Sequence, residues 1–493
     1  MRLTSAQNDR ACGVLLASAV GDALGAGYEF APVAPDLAPA MIGGGLGGFA
    51  PGEWTDDTAQ ALAIAQVAAT GIDLRTPEAL TAVAQRFADW YADGPADVGV
   101  QTSAVLALAG RTPTAEEMAE AAREVHERNG RSAGNGALMR TGPVALAYLD
   151  DPEALVDAAM KVSALTHHED VARESCAVWC LMIRHAVLRG EFPTFDDIEE
   201  WVPHRNHWRA LLAEAETEPP RSFTANAWTI GALQAAWSAI THTPVPDEGP
   251  ACGHLTDALT TAIRIGHDTD TVAAIAGALL GARWGMSAVP AEWRRKLHGW
   301  PGVRGVELER LAYRIAHRGE PGKYGWPLVD HIDYNRLQYG LPALAVHPYD
   351  SGVYIAGATA LDEVPDDVDA VVSLCLTGLT QVSAGLEHVN FRIMDEAHPS
   401  ANPNLDFALM DAACTVAMMR DEGKVVLLHC VAAHSRTPTV AVLYAMVRGV
   451  PLDEAMHNVC RALPAAYPNA GFRQALARLA TSEHGVKVRG TQL

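Results

Sequence analysis

Gly52-Glu53-Trp54-Thr55-Asp56-Asp57-Thr58-Ala59-Gln60 is the stretch on which the fold turns. The run that follows it, to Ala69, is built mainly from Ala, Leu, Ile and Val with no breaker, so it reads as a buried helix. Thr55-Asp56-Asp57 then forms the helix start, where free backbone N–H groups and the positive end of the dipole favour carboxylates. For an isolated pair of aspartates an acidic N-cap is explanation enough. The chain's other pairs, Asp150-Asp151, Asp196-Asp197 and Asp366-Asp367, are assigned no chemistry. A second copy of the device changes the weighting. Gly266-His267-Asp268-Thr269-Asp270-Thr271 leads into another apolar run, 272–281. If these two acidic helix starts meet, Asp56, Asp57, Asp268 and Asp270 converge with the hydroxyls of Thr55 and Thr271. So many negative charges cannot share a partly dry site unneutralised. Two divalent cations would balance them, and an all-oxygen ligand set selects magnesium or manganese over zinc or copper.

The chain is 493 residues long, which points to two or three domains. Hydrophobic residues at 49% and charged residues at 19% are those of an ordinary globular protein. Against 59 acidic residues stand 37 Lys and Arg, a net charge of −22. That balance argues against a nucleic acid or an anionic membrane as the main partner. The cysteines are scattered and sit mostly in apolar runs, the usage of a reducing cytoplasm rather than a disulfide framework. Residues 1–10 lack a signal-peptide pattern, and the run 11–26 is broken by glycines and Asp22, so no transmembrane span is expected.

Thr-Asp-Asp-Thr followed far downstream by Gly-x-Asp-x-Asp-Thr resembles the ADP-ribosylglycohydrolases, across roughly residues 8–318. The resemblance implies an all-helical domain with two metal ions at its middle, cleaving the bond at ribose C1″ of an ADP-ribosylated protein or small molecule. It also implies roles for other residues. Gly21-Asp22-Ala23-Leu24-Gly25, read as the end of a first helix, is followed by Glu29-Phe30, and Glu29 matches a glutamate at the metal and substrate site. Asp97, in Asp97-Val98-Gly99-Val100-Gln101-Thr102, matches an aspartate assigned to acid–base work at the ribose. Gly134-Asn135-Gly136 with Met139 matches an ADP-ribose loop, where glycines let backbone N–H groups approach a diphosphate. Thr166-His167, read as opening a helix, matches as well, with His167 at the substrate. His267 departs from the pattern, since many members carry glycine there. Beyond 171 the pattern stays helical to 318, apart from an irregular stretch at 191–225.

All 11 tryptophans lie at or before Trp326, and residues 319–350 are rich in Gly, Pro and Tyr. Strand-like runs then occur at 353–356, 370–374, 389–393 and 424–428, with helices between. The expected organisation is therefore multidomain: an all-α domain over 1–320, a linker over 321–345 and an α/β domain over 346–493.

In that second domain His429-Cys430-Val431-Ala432-Ala433-His434-Ser435-Arg436-Thr437 runs from a strand through a loop into a helix. Loop N–H groups, Arg436 and the helix dipole would together favour a thiolate at Cys430. Cys414 and Arg420 show the same spacing, but inside an apparent helix that cannot wrap a phosphate. The Cys430 context resembles the dual-specificity branch of the protein tyrosine phosphatases, across roughly 345–485. On that reading Cys430 attacks phosphorus, Arg436 grips the equatorial oxygens, Thr437 bonds the departing sulfur and Asp395 is the general acid, the substrate being a phosphorylated molecule. Ala433 departs from the usual glycine. Two other readings remain: a phosphate-binding module attached to a hydrolase, or a relative without catalysis.

Overall fold

The computed structural model describes residues 2–334 and 344–481. The chain forms two compact units. One comprises Met1–Asp247, Ala251–Val289 and Trp293–Glu320; the other is essentially Pro321–Leu493 with two short excursions from the first.

The first unit is helical and is organised around two helices far apart in sequence, Ser5–Gly25 and Thr269–Trp284. Thr4 starts the first with a capping box, its side chain taking the N–H of Gln7 while Gln7 returns a bond to the Thr4 backbone. Small residues then let the two backbones touch. A Cβ on Gly21 would lie 2.1 Å from the Ala273 carbonyl, and one on Gly281 2.0 Å from the Gly13 carbonyl. The first helix therefore runs unbroken through Gly21–Gly25, where the sequence alone suggests an end. These glycines serve close packing rather than termination. Thr269 Oγ1 ties the seam at its top, donating to Gly25 O at 2.9 Å. The third element at this point is the Asp56–Ala68 helix, capped by Thr55, whose side chain accepts from Asp57 N.

Three local expectations are corrected by the structure. The 191–225 stretch holds a helix, Arg205–Thr217, whose buried face is Trp208, Leu212 and Ala215. Thr166-His167 does not open a helix; it follows Pro152–Ala164, and the next helix begins at Asp170. The unit also carries a minimal antiparallel pair, β1 His298–Gly299 and β2 Val303–Arg304.

The second unit is a five-stranded sheet flanked by helices. Its strands are β3 Leu344–His347, β4 Asp350–Gly357, β5 Ala370–Ser373, β6 Glu387–Asn390 and β7 Val426–Cys430, in the order β3-β4-β7-β5-β6. Only the β3–β4 pair is antiparallel. β7 is central and wholly buried, which is why its sequence is a continuous apolar run rather than an alternation. Cys430 is its last residue, so it emerges at the carboxyl edge of the strands, where open α/β sheets bind ligands. Part of the stretch read as linker packs on this unit: Gln381 bonds both N and O of Ile332 at 3.2 Å, and Tyr334 Oη donates to Leu376 O at 2.7 Å. Leu344 and Ala345, also read as linker, begin β3, and 335–343 lie outside the described residues.

Candidate active sites

The two acidic helix starts of the first unit do meet. Ligand atoms of Asp22, Asp57 and Asp270 lie within 4.8 Å of one another, and so do those of Glu29, Asp268 and Asp270. Asp270 is shared, so the carboxylates outline two adjacent positions. Both hydroxyls expected from the sequence point into the first: Thr55 Oγ1 and Thr271 Oγ1 donate to Asp57 Oδ2 at 3.1 and 3.3 Å. Asp56 is partly exposed at the rim, where Gln60 Nε2 reaches its Oδ2 at 3.0 Å.

Burial, then mutual repulsion, raises the affinity of these groups for protons. Asp57 and Asp270 are held well above the usual carboxylate range, first by desolvation and then by Asp22 and Asp57 respectively. Asp56 is pushed up to about 8 by burial and then Asp97, and Glu29 to about 8 by burial and then Asp268. Asp97 is half-buried beside this cluster. Two buried oxygens, Asp57 Oδ1 and Glu29 Oε2, receive no hydrogen bond. Buried carboxylate oxygens are otherwise almost always satisfied. Crowded, dry and unsatisfied oxygen donors of this kind fit hard divalent cations.

Two residues to which sequence reasoning assigns no role complete the geometry. Asp22, fully buried, accepts from Thr55 N at 3.0 Å and from Thr58 N and Oγ1 at 3.0 and 2.6 Å. It therefore anchors the turn that presents Asp56 and Asp57. A lone acid in a small-residue helix is the available signal. Asn226, also buried, accepts from Asp268 N at 3.2 Å and donates to Gly266 O at 3.1 Å. Nothing in its own sequence context marks it.

The glycine loop lies beside the centre. Asn135 Nδ2 donates to Asp268 Oδ2 at 2.8 Å and to Asn226 O at 2.9 Å, so this side chain holds a carboxylate, and its backbone N–H is given to Ala227 O at 3.3 Å. His167 is buried against the loop: a Cβ on Gly134 or Gly136 would lie 3.5 Å from its Nε2. Met139 does not reach the site. It is 5% exposed and lines a small pocket of about 10 Å³ with Leu15, Leu62 and Pro143. The short turn after Asn135–Ala137 carries it inward to the core.

In the second unit, the loop after Cys430 closes onto the Arg436–Val447 helix. Arg436 Nη1 donates to the carbonyls of Leu374 at 2.9 Å and Ile393 at 3.0 Å. Its Nε lies 3.7 Å from Asp395 Oδ2 and has no hydrogen bond of its own. Asp395 is exposed, and its Oδ1 accepts from Asn469 Nδ2 at 3.0 Å, a contact no sequence motif announces. Cys430, Arg436 and Asp395 thus gather at one sheet edge. Cys414 lies inside the Leu405–Asp421 helix, where burial and then Asp411 push its thiol up to about 11. Thr437 differs from expectation: its buried hydroxyl donates to Ala356 O at 3.2 Å, so its proton is turned away from the sulfur. Ala433 stands at φ 51°, the left-handed region that glycine occupies freely.

The first unit thus carries a doubled carboxylate centre at two helix starts. The model of the ADP-ribosylglycohydrolase family matches residues 3–323, and the chain belongs to that family and carries its ADP-ribosyl hydrolase activity. It is 28% identical over 341 residues to the ADP-ribosylarginine hydrolase Tri1 of Pseudomonas putida (strain GB-1), covering 67% of this chain and 82% of that one. To the ADP-ribosyl-[dinitrogen reductase] glycohydrolase of Rhodospirillum rubrum it is 29% identical over 298 residues, covering 59% and 90%. Among solved structures, Tk-PTP in its active form matches with 29% identity and a TM-score of 0.25, covering 29% of this chain and 98% of that one.

Proposed function

We propose that the chain is a two-headed hydrolase: a divalent-cation-dependent ADP-ribosyl hydrolase and a cysteine-dependent phosphomonoesterase. The observation that carries the first head is the pair of carboxylate triads sharing Asp270, with the unsatisfied oxygens of Asp57 and Glu29 turned inward. Asp57, Asp268, Asp270, Asp56, Thr55, Thr271 and Glu29 would hold two cations, Mg²⁺ or Mn²⁺. Bound there, they would supply Lewis-acid polarisation at the ribose and a nucleophilic water. The protein's own groups do the rest. The Gly134–Gly136 backbone receives the diphosphate, and Asp97 at the rim handles the proton at the ribose. Hydrolysis breaks the C1″–acceptor bond, water supplies the new C1″–OH, and the acceptor leaves protonated. Acceptors in the class of the arginine side chain fit the hydrolases to which the chain is similar.

For the second head, the Cys430–Arg436–Asp395 convergence supports phosphocysteine chemistry. Cys430 Sγ forms a bond to phosphorus as the P–O ester bond breaks, and Asp395 gives its proton to the leaving oxygen. Water, deprotonated by Asp395, then displaces the sulfur. Arg436, its Nη1 fixed by two carbonyls, keeps its remaining donors for the equatorial oxygens. A phosphate-binding module without turnover is the second reading, favoured by the left-handed Ala433. The cysteines are scattered and mostly buried, which supports a reducing compartment such as the cytoplasm.

The test is a panel of ADP-ribosylated arginine, serine and small-molecule acceptors, assayed with and without chelator, beside an aryl phosphate. Release of ADP-ribose that needs the cation, and phosphate release that does not, is expected. Full ADP-ribose release from verified metal-free protein would overturn the first head. No phosphate release from any ester would leave the binding module.

A further inference from the structure

Arg140 is 1% exposed, and a guanidinium is among the most expensive groups to bury. Its Cζ lies over the Phe87 ring, 4.3 Å from the centroid. Burial pulls its pKa down to about 10, which leaves it charged at neutral pH. Nη1 bonds Gln60 Oε1, and Nη2 bonds Thr166 Oγ1 at 2.6 Å.

The directions of the neighbouring bonds follow from donor chemistry. Guanidinium has only donors, so Gln60 Oε1 and Thr166 Oγ1 must both accept. That orients the Gln60 amide, whose Nε2 donates to Asp56 Oδ2 at 3.0 Å. The Thr166 hydroxyl keeps one proton, and the acceptor beside it among the described residues is His167 Nδ1 at 2.8 Å. With Nδ1 accepting, the ring proton belongs on Nε2, the atom that faces Gly134 and Gly136. Burial holds His167 down to about 3, so the ring stays neutral. Gln101 Nε2 steadies the same turn, donating to Thr166 O at 2.9 Å and Ser132 O at 3.0 Å.

We propose that Arg140 is a positioning residue that couples the two halves of the hydrolase site, holding Asp56 through Gln60 and, through Thr166, fixing His167 as an Nε2–H donor to a diphosphate oxygen of ADP-ribose. This rests on the reading of the Gly134–Gly136 loop as the ADP-ribose cradle. One buried cation thereby sets both a carboxylate at the metal centre and a neutral donor at the anion loop.

The tautomer is read directly from ¹⁵N shifts of histidine-labelled full-length protein, with His167→Gln giving the assignment. The Nε2–H form is expected, unchanged between pH 5.5 and 8. Thr166→Val keeps the volume and removes the relay. It should weaken ADP-ribose binding about tenfold in calorimetry and raise KM with kcat within about twofold. The cation-induced rise in Tm should persist, because Gln60 still holds Asp56. Thr166→Ser should restore binding. Gln60→Met should do the opposite of Thr166→Val, weakening the cation response more than ADP-ribose binding. A proton found on Nδ1, or Thr166→Val binding ADP-ribose as the wild type does, overturns the relay. Wild-type protein that shows the Nε2–H form yet binds no ADP-ribose overturns instead the reading of the loop, and with it the relay's target.

Discussion

Phe30 N donates to the carbonyl of His267 at 2.6 Å, and both residues are left-handed, at φ 48° and 62°. Each adjoins a carboxylate of the acidic cluster, Glu29 before Phe30 and Asp268 after His267. A glycine at 267 would occupy this conformation without strain. His267→Gly should therefore raise the unfolding free energy by roughly 1 kcal/mol or less, since the gain from removing a left-handed Cβ is partly offset by glycine's freedom in the unfolded chain. Thermal unfolding of the two proteins in excess cation checks this. A lowered Tm would mean that the imidazole makes contacts outweighing its backbone strain.

Asp270→Asn removes the carboxylate common to both triads and should abolish ADP-ribose release. Added Mg²⁺ or Mn²⁺ should raise the Tm of the wild type, since a ligand at 100 times its Kd stabilises by about 2.7 kcal/mol. The variant should show little of that rise. Phosphate release through Cys430 should be unaffected. Differential scanning calorimetry with titrated cation measures the first effect, and an equal rise in Asp270→Asn would contradict the shared-ligand geometry.

Ala433→Gly should leave phosphatase turnover equal or higher, because the loop's left-handed residue would no longer carry a methyl group. In both proteins Cys430 should alkylate readily and be protected by phosphate or vanadate. Cys414, its thiol pushed up to about 11, should react slowly and without protection. Mass-spectrometric alkylation rates decide the matter. Equal rates at the two cysteines would count against a catalytic loop.

Asp395→Ala should slow an alkyl phosphate far more than an activated aryl phosphate, because only the poor leaving group needs the proton. Asn469→Ala should act in the same sense but more weakly, since Asn469 holds one oxygen of Asp395. The ratio of kcat/KM for the two esters is the readout. An unchanged ratio in Asp395→Ala removes this residue from the acid's role.

His429 gives the second unit a dependence on pH. It is fully buried, its Nε2 lies 2.6 Å from Ser373 Oγ, and burial followed by His388 lowers its pKa to about 3. In the unfolded chain it titrates near 6.5. Between those values the unfolded state binds the extra proton, so stability is complete above about pH 6.5 and falls as pH drops toward 3. Urea midpoints from pH 7 to 4.5 should decline, with a shallower slope in His429→Gln. An equal slope would place the acid sensitivity elsewhere.

What can be read from the sequence follows the range of the interactions. Asp56, Asp57, Asp268 and Asp270 announce themselves because each pair belongs to one helix start and repeats locally. Cys430 and Arg436 do so because a strand, a tight loop and a helix start lie within a dozen residues. Asp22 and Asn226 escape notice because their partners, Thr55 and Asp268, lie 33 and 42 residues away. Met139 misleads because a motif match does not say which way a short helical turn points its side chain. The Arg205–Thr217 helix is hidden between prolines and charges, although Trp208 and Leu212 mark its buried stripe. The left-handed backbone of Ala433 is a geometry that a sequence can suggest but not measure.

The seam between the Ser5–Gly25 and Thr269–Trp284 helices also governs when the hydrolase comes into being. Thr269 meets Gly25 across 244 residues of chain. As the polypeptide leaves the ribosome, the first helix and the Asp56–Asp57 turn emerge early, with their glycine face uncovered and Asp22, Glu29, Asp56 and Asp57 already made. Asp268 and Asp270 arrive only when residues near 270 have been made. Contacts of such long sequence separation close late and slowly. A truncated product ending before Asp268 therefore has neither a covered first helix nor a complete ligand set. The closing event that covers the first helix is therefore also the one that brings the two acidic helix starts together.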